Sequence, residues 1–173
     1  EFGKTAVQTL SFDLTGAYKD AEVFPAQWQF RLDPADRGVA ERWFAENLDE
    51  SDWRPIVVPA WWENQRHDYD GLAWYRVRFR LPPGAAGLPA RLYFQGVDEE
   101  AWVYVNGRLV GERTVQSTGL PFAMFWDWSF HIAIPEGLLK ADDKNLLAVR
   151  CRDNDAKGGI FRPVRLQVAV PKN

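Results

Sequence analysis

The chain has 173 residues, a formal net charge of -3 and a single cysteine, Cys151. That length suits one domain, residues 1–173, able to bury a core without help from metal or disulfides. The mild acidity argues against nucleic acid or an anionic membrane surface as a partner, and one cysteine excludes an internal disulfide and a cysteine-based zinc site.

No apolar run approaches the roughly twenty residues of a membrane span, and no leader pattern opens the chain. Glu1-Phe-Gly without an initiator methionine reads as the start of an excised domain. The informative excess is aromatic: nine Trp, eleven Phe and five Tyr. Such a density serves either a thick core or a surface that stacks on flat ligands.

In chain order, Ala6 to Leu14 alternates well enough for a strand, which Thr15-Gly16 end before a loop. Gln27 to Leu32 alternates more cleanly, with Trp28, Phe30 and Leu32 on one face and a stop at Asp33-Pro34. Val39 to Asn47 has helical spacing, with Val39, Ala40, Trp43 and Phe44 on one side and Arg42 and Glu46 as surface partners. It is the one helix expected. Ile56 to Val58 is a short strand closed by Pro59, and Ala60 to Gly71 is a polar loop broken by aromatics.

Leu72 to Leu81 is a long strand. Trp74, Arg76, Arg78 and Arg80 share one face, and Ala73, Tyr75, Val77 and Phe79 share the other. Arg91 to Val97 follows, then Ala101 to Glu112, where Asn106-Gly107 between apolar runs specifies a β-hairpin with a two-residue turn. Ala101, Val103 and Val105 alternate with Trp102 and Tyr104, so both faces of the first hairpin strand are apolar, as in a strand covered on both sides. Phe122 to Ile134 opens with Phe122, Phe125, Trp126 and Trp128 and continues as a strand through Phe130, Ile132 and Ile134. Gly137 to Lys144 reads as a short helical turn, Asn145 to Arg152 as a strand, Asp153 to Gly159 as a polar loop, and Arg162 to Val170 as the last strand. Many short strands with turns at short intervals predict an all-β fold, an antiparallel β-sandwich of jelly-roll type with one short helix.

Four blocks then occur in one order: Asp68-Tyr-Asp-Gly-Leu-Ala-Trp-Tyr-Arg-Val-Arg-Phe79, Phe94-Gln-Gly-Val-Asp-Glu-Glu-Ala-Trp-Val-Tyr-Val-Asn-Gly107, Asn145-Leu-Leu-Ala-Val-Arg150 and Gly158-Gly-Ile-Phe-Arg-Pro-Val-Arg-Leu166. Over roughly residues 26–170 the chain thereby resembles the N-terminal sugar-binding, galactose-binding-like domain of glycoside hydrolase family 2, the β-galactosidase, β-glucuronidase and β-mannosidase group. The Asp52-Trp53 to Val57-Val-Pro59 segment agrees with that pattern.

In that family hydrolysis is carried by two glutamates on a separate TIM-barrel domain, which this chain is too short to contain. The resemblance therefore implies a non-catalytic module beside a neighbouring catalytic domain, with an extracellular or periplasmic setting favoured. Such domains lend an acidic loop residue to the rim of the neighbouring active site shortly before the Gly-Ile-Phe-Arg block. Asp153 and Asp155 both match that position. Where the family commonly reads Pro-Phe-Ser-Phe-Asp-Ile, this chain has Pro121-Phe-Ala-Met-Phe-Trp-Asp-Trp-Ser-Phe-His131, an enlarged aromatic version.

A sugar ring presents an apolar C–H face and hydroxyl edges, so its site needs a flat aromatic and planar polar groups. Three places supply both: Trp61, Trp62 and Glu63 with His67; Trp126 and Trp128 around Asp127; and Arg152, Asp153, Asn154 and Asp155. Trp61 and Trp62 are adjacent, so at most one is buried on an extended chain. Trp126 and Trp128 share a face at i,i+2, which favours the core over a ligand platform. His67 suits a loop hydrogen-bonder as well as a ligand. The oxygen donors at 153–155 make calcium conceivable, although the glycine and terminal glutamate of an EF-hand are missing; no other cofactor or metal is implied. Glu99-Glu100 reads as a solvated turn. Two functions fit: a carbohydrate-binding module for an oligo- or polysaccharide, and a structural accessory domain packed against a catalytic barrel.

Overall fold

A computed structural model describes residues 17–170, and the strand expected at 6–14 lies outside them. Ten strands form two antiparallel sheets among the described residues: β1 Tyr18–Ala21, β2 Gln27–Leu32, β3 Arg54–Val57, β4 Gly71–Phe79, β5 Ala90–Phe94, β6 Glu100–Val105, β7 Arg108–Arg113, β8 Phe130–Ile134, β9 Asn145–Asp153 and β10 Val164–Ala169. One sheet runs β1-β10-β5-β8 and the other β3-β2-β4-β9-β6-β7. This is the expected sandwich, with its long strands β4 and β9 paired from Gly71↔Asp153 to Phe79↔Asn145.

Alternation decides what each sheet buries. Trp28, Phe30, Tyr75, Val77, Leu92, Phe94, Val103, Leu147, Val149, Leu166 and Val168 point between the sheets and form the main core. The opposite face of the six-stranded sheet carries a second cluster of Trp43, Trp53, Trp74, Tyr104 and Ala148, which residues 33–53 cover. The hairpin forms as its sequence specifies: Asn106 and Gly107 take φ of 47° and 78°, the left-handed pair a tight turn between twisted strands needs.

The helix expected at 39–47 is absent and a run of turns stands in its place. Arg42 has φ of 55°, which breaks any helix through it. The surrounding polar groups are drawn outward. Asp33 accepts from the Arg37 and Gly38 N–H groups at 2.7 and 2.9 Å and from Trp74 Nε1 at 3.0 Å. The buried guanidinium of Arg76 donates to the carbonyls of Trp43 and Ala45 and pairs with Glu50 at 2.8 Å. Tertiary partners outbid the intrahelical ones. Arg42 and Glu46 do not pair; Arg37 reaches Glu41 and Lys140 reaches Glu46. The short helix is instead α1, Val115–Thr118, capped by Thr114, whose side chain accepts from the Ser117 N–H.

Two smaller differences concern edges. The stretch after Gly16, expected as loop, contains β1, which pairs with β10 from Tyr18↔Ala169 to Ala21↔Leu166. Residues 137–144 form turns rather than a helical turn; Asn145 Oδ1 accepts from the Lys140 N–H, and Asn145 Nδ2 donates to the Lys140 carbonyl.

Candidate functional site

The strand register brings the loops together. Gly71, Asp153 and Glu100 are neighbours at one end of the large sheet, since Gly71 pairs with Asp153 and Glu100 with Arg152. Val164, Phe94 and Phe130 end the small sheet in the same way. The connections spanning 58–70, 95–99, 114–129 and 154–163 therefore meet. The Trp61 ring stacks flat on Phe161, with centroids 3.8 Å apart. The Gly158 N–H donates to Glu63 Oε1 at 3.0 Å, and the Asn154 N–H donates to Glu99 Oε2 at 3.2 Å. Arg162 pairs with Asp127 at 2.5 Å, and the Arg152 guanidinium lies over the Phe122 ring at 5.6 Å. The three stretches singled out from the sequence thus occupy one end of the sandwich.

Their side chains take different roles there. Trp62 is 0% exposed and packs on Phe30 and Tyr69, so the reading of it as a stacking surface is corrected: no face of its ring is open. Gly158 is required beside it, because a Cβ there would lie 2.4 Å from the indole. Trp61 is half-buried against Phe161. His67 is packed too, its ring 4.8 Å from Phe30, and burial pushes its pKa down. Trp126 and Trp128 reverse the expectation of core packing, each being 50% exposed. The residue that turns inward in that stretch is Phe125, and the segment is a 3-10 turn and loop rather than a strand, so i,i+2 spacing does not place both rings inside. His131 is an exposed strand residue stacked on Tyr93.

Carboxyls gather beneath this surface. Asp153 is 1% exposed; its Oδ1 accepts a long bond from the Asp155 N–H at 3.4 Å and its Oδ2 has no partner. Burial, with Asp98, Glu99 and Asp70 adding repulsion, raises its pKa to about 7. Asp98 rises to about 7 for the same reason, with Glu99 and Glu63 adding to the shift and Arg113 opposing it. Glu63 and Glu99 are also pushed up by burial. Glu63 Oε2 and Trp62 Nε1 have no other partner and face each other, an interaction that lowers the Glu63 pKa against the effect of burial. The solvated turn expected at Glu99-Glu100 is corrected: Glu100 is buried on β6, where its Oε1 accepts from the Val115 N–H at 2.8 Å, because the turn lies one residue earlier. Arg152, Asn154 and Asp155 are exposed at the rim. Among the described residues no group of three or more His, Cys, Asp or Glu is arranged to hold a metal ion. Cys151 is buried, and burial drives its thiol pKa up, which leaves it unreactive.

Sequence reasoning placed Asp127 in a candidate stretch without its partner, and missed Asp98, Arg113, Phe161 and Arg162 as site residues. Arg162 carried a usable signal, being an arginine in the Gly-Ile-Phe-Arg block. Arg113, at the end of a hairpin strand, carried none.

The family model described as the beta-galactosidase second all-beta domain matches residues 42–157. A beta-galactosidase of Thermoanaerobacter pseudethanolicus is 28% identical over 142 residues, 70% of this chain, and a beta-galactosidase of Bacteroides ovatus is 28% identical over 169 residues, 86% of this chain. The chain spans 18% of the length of each. A solved Bacteroides uniformis beta-glucuronidase superposes with a TM-score of 0.68 at 24% identity, covering 90% of this chain and 18% of that one. A Ruminococcus gnavus beta-glucuronidase superposes with a TM-score of 0.70 at 17% identity, covering 90% of this chain and 29% of that one. These two likenesses are of fold.

Proposed function

The chain belongs to the beta-galactosidase second all-beta domain family, an accessory all-β domain of glycoside hydrolase family 2 enzymes, and on that footing we propose that it is a non-catalytic carbohydrate-binding domain of a larger hydrolase. The ligand is an oligo- or polysaccharide held at the loop end. Trp126 and Trp128 offer their half-exposed rings to the C–H face of a sugar, and Arg152, Asn154 and Asp155 meet its hydroxyls. The observation that carries this reading is the pair of tryptophans on a tethered loop. Asp127, between them, pairs with Arg162, which tethers the loop that carries the two rings to the loop at the far side of the site.

A hydrolytic role for the raised carboxyls has less support. Asp153 is almost wholly buried, so its carboxyl cannot reach a glycosidic oxygen brought from solvent. A structural role has one specific observation in its favour: Met124, exposed beside Trp126 and Trp128, extends the apolar surface in the manner of a patch that a neighbouring catalytic domain covers.

Titration of the chain with plant and algal polysaccharides, read by tryptophan emission and calorimetry, separates the two. Binding that Trp126→Ala and Trp128→Ala each weaken about tenfold or more supports the carbohydrate site. If no glycan shifts the emission and the patch instead binds the remainder of the hydrolase, the accessory-packing reading stands and the binding one falls.

A further inference from the structure

Arg113 closes β7 with its guanidinium in the interior, the residue being 6% exposed. One nitrogen, Nη1, donates to the carbonyls of Phe125 and Trp128 at 3.0 and 2.6 Å. The other, Nη2, donates to the carbonyls of Val97 and Glu99 at 2.6 and 2.7 Å. The first pair brackets Trp126 and Asp127; the second brackets Asp98. The cation also lies over the rings of Phe125 and Phe130, at 5.0 and 4.4 Å. A buried arginine that spends four donor bonds on backbone carbonyls of two separate loops makes no ion pair with any of them. Its bonds fix loop positions.

We propose that Arg113 is the positioning residue of the loop end, a single guanidinium that clamps the tryptophan loop and the Asp98–Glu99 loop in one fixed relation. The proposal rests on the carbohydrate reading only for its consequence in binding; the clamp itself is measurable without a ligand. The planar fork explains why arginine is needed. Its two terminal nitrogens lie side by side and each serves one loop, whereas the lysine ammonium is a single point that cannot reach four carbonyls held in two pairs. Strand pairing does not depend on these bonds, since β6 and β7 remain joined through their own register from Ala101↔Arg113 to Val105↔Arg108.

Three measurements test it. In the wild-type chain, the Arg113 Nη protons should appear in the NMR spectrum as separate, slowly exchanging signals; one averaged, fast-exchanging signal overturns the clamp outright, whatever the variants do. In Arg113→Met and Arg113→Lys, with the sandwich checked by circular dichroism, iodide quenching of the exposed tryptophans should rise as their loop is released. The third readout belongs to the charge. Asp98 faces Glu99, Glu63, Asp153 and Arg113, so loss of the cation should raise its carbon-13 titration midpoint by about one pH unit in Arg113→Met, with Arg113→Lys recovering part of that shift but not the quenching. Unchanged quenching and an unchanged Asp98 midpoint in a folded Arg113→Met sink the proposal. If a glycan binds the wild type, both variants should weaken it about tenfold; if none binds, the carbohydrate reading fails while the NMR, quenching and titration outcomes still decide the clamp.

Discussion

The outer face of the six-stranded sheet and the loop end of the sandwich are both rich in tryptophan, yet they treat their carboxyls in opposite ways. On the covered face the carboxylates are paired: Glu41 accepts from Trp43 Nε1 at 2.9 Å, Asp33 from Trp74 Nε1 at 3.0 Å, and Glu50 from Arg76 at 2.9 Å and from Arg78 at 2.6 Å; the unpartnered atoms there are nitrogens, Trp53 Nε1 and Arg150 Nε. At the loop end, Asp153 Oδ2 is unpartnered, carboxyls crowd one another, and two tryptophans stand half in solvent. A buried carboxyl that only supports a fold is paired or hydrogen-bonded. The contrast marks the first region as scaffold and the second as the place where the fold carries polar strain, which is where function is sought.

The sharpest break of this contrast is Trp74→Ala. It empties the centre of the covered face and leaves Asp33 short of a partner, so urea unfolding should show a loss of about 3–5 kcal/mol. Arg76→Met comes next. Glu50 keeps Arg78 at 2.6 Å, but the Trp43 and Ala45 carbonyls lose their donor, and a loss of about 2–3 kcal/mol is expected in the same measurement. Neither change should alter glycan affinity once the chain is folded.

At the loop end the sign reverses. Asp98 and Asp153 titrate near 7 in the folded chain against an ordinary value of 3.8, so the folded chain holds protons that the unfolded chain has released. Stability should therefore fall as pH rises from about 4 to about 7 and level off above. Asp153→Asn removes one of these groups. It should flatten that slope and stabilise the chain by about 1–2 kcal/mol at pH 8, read from thermal unfolding across pH. The smallest stability effect belongs to Trp126→Ala, within about 0.5 kcal/mol, because half of its ring already faces water. A loss above about 2 kcal/mol there would mean that the loop is scaffold after all.

Where the sequence was legible, the reason is local. Alternation in β2, β4, β6 and β9 assigns each side chain to a face without reference to any partner. Asn106-Gly107 states its turn in two residues. Residues 39–47 show where local reasoning fails: their spacing is helical, but Asp33 and Arg76, distant in sequence, offer the backbone better partners than a helix would. The tryptophan pairs show the same limit. Adjacency correctly allowed one of Trp61 and Trp62 to be buried without saying which, and i,i+2 spacing misplaced Trp126 and Trp128 because it presumes a strand that the loop does not form.

The sequence by itself determined the sandwich, its hairpin and the three stretches of candidate site residues, since each is written in the order of neighbouring side chains. Only the tertiary structure decided that those stretches meet at one end, that Trp62 is core while Trp126 and Trp128 face solvent, and that Asp98 and Asp153 sit where their protons are held to near pH 7. Burial and charge proximity are properties of what the fold brings from elsewhere in the chain. Arg113 is the clearest instance: nothing beside it announces a role, and its four acceptors come from two loops that the strand register delivers to its side chain.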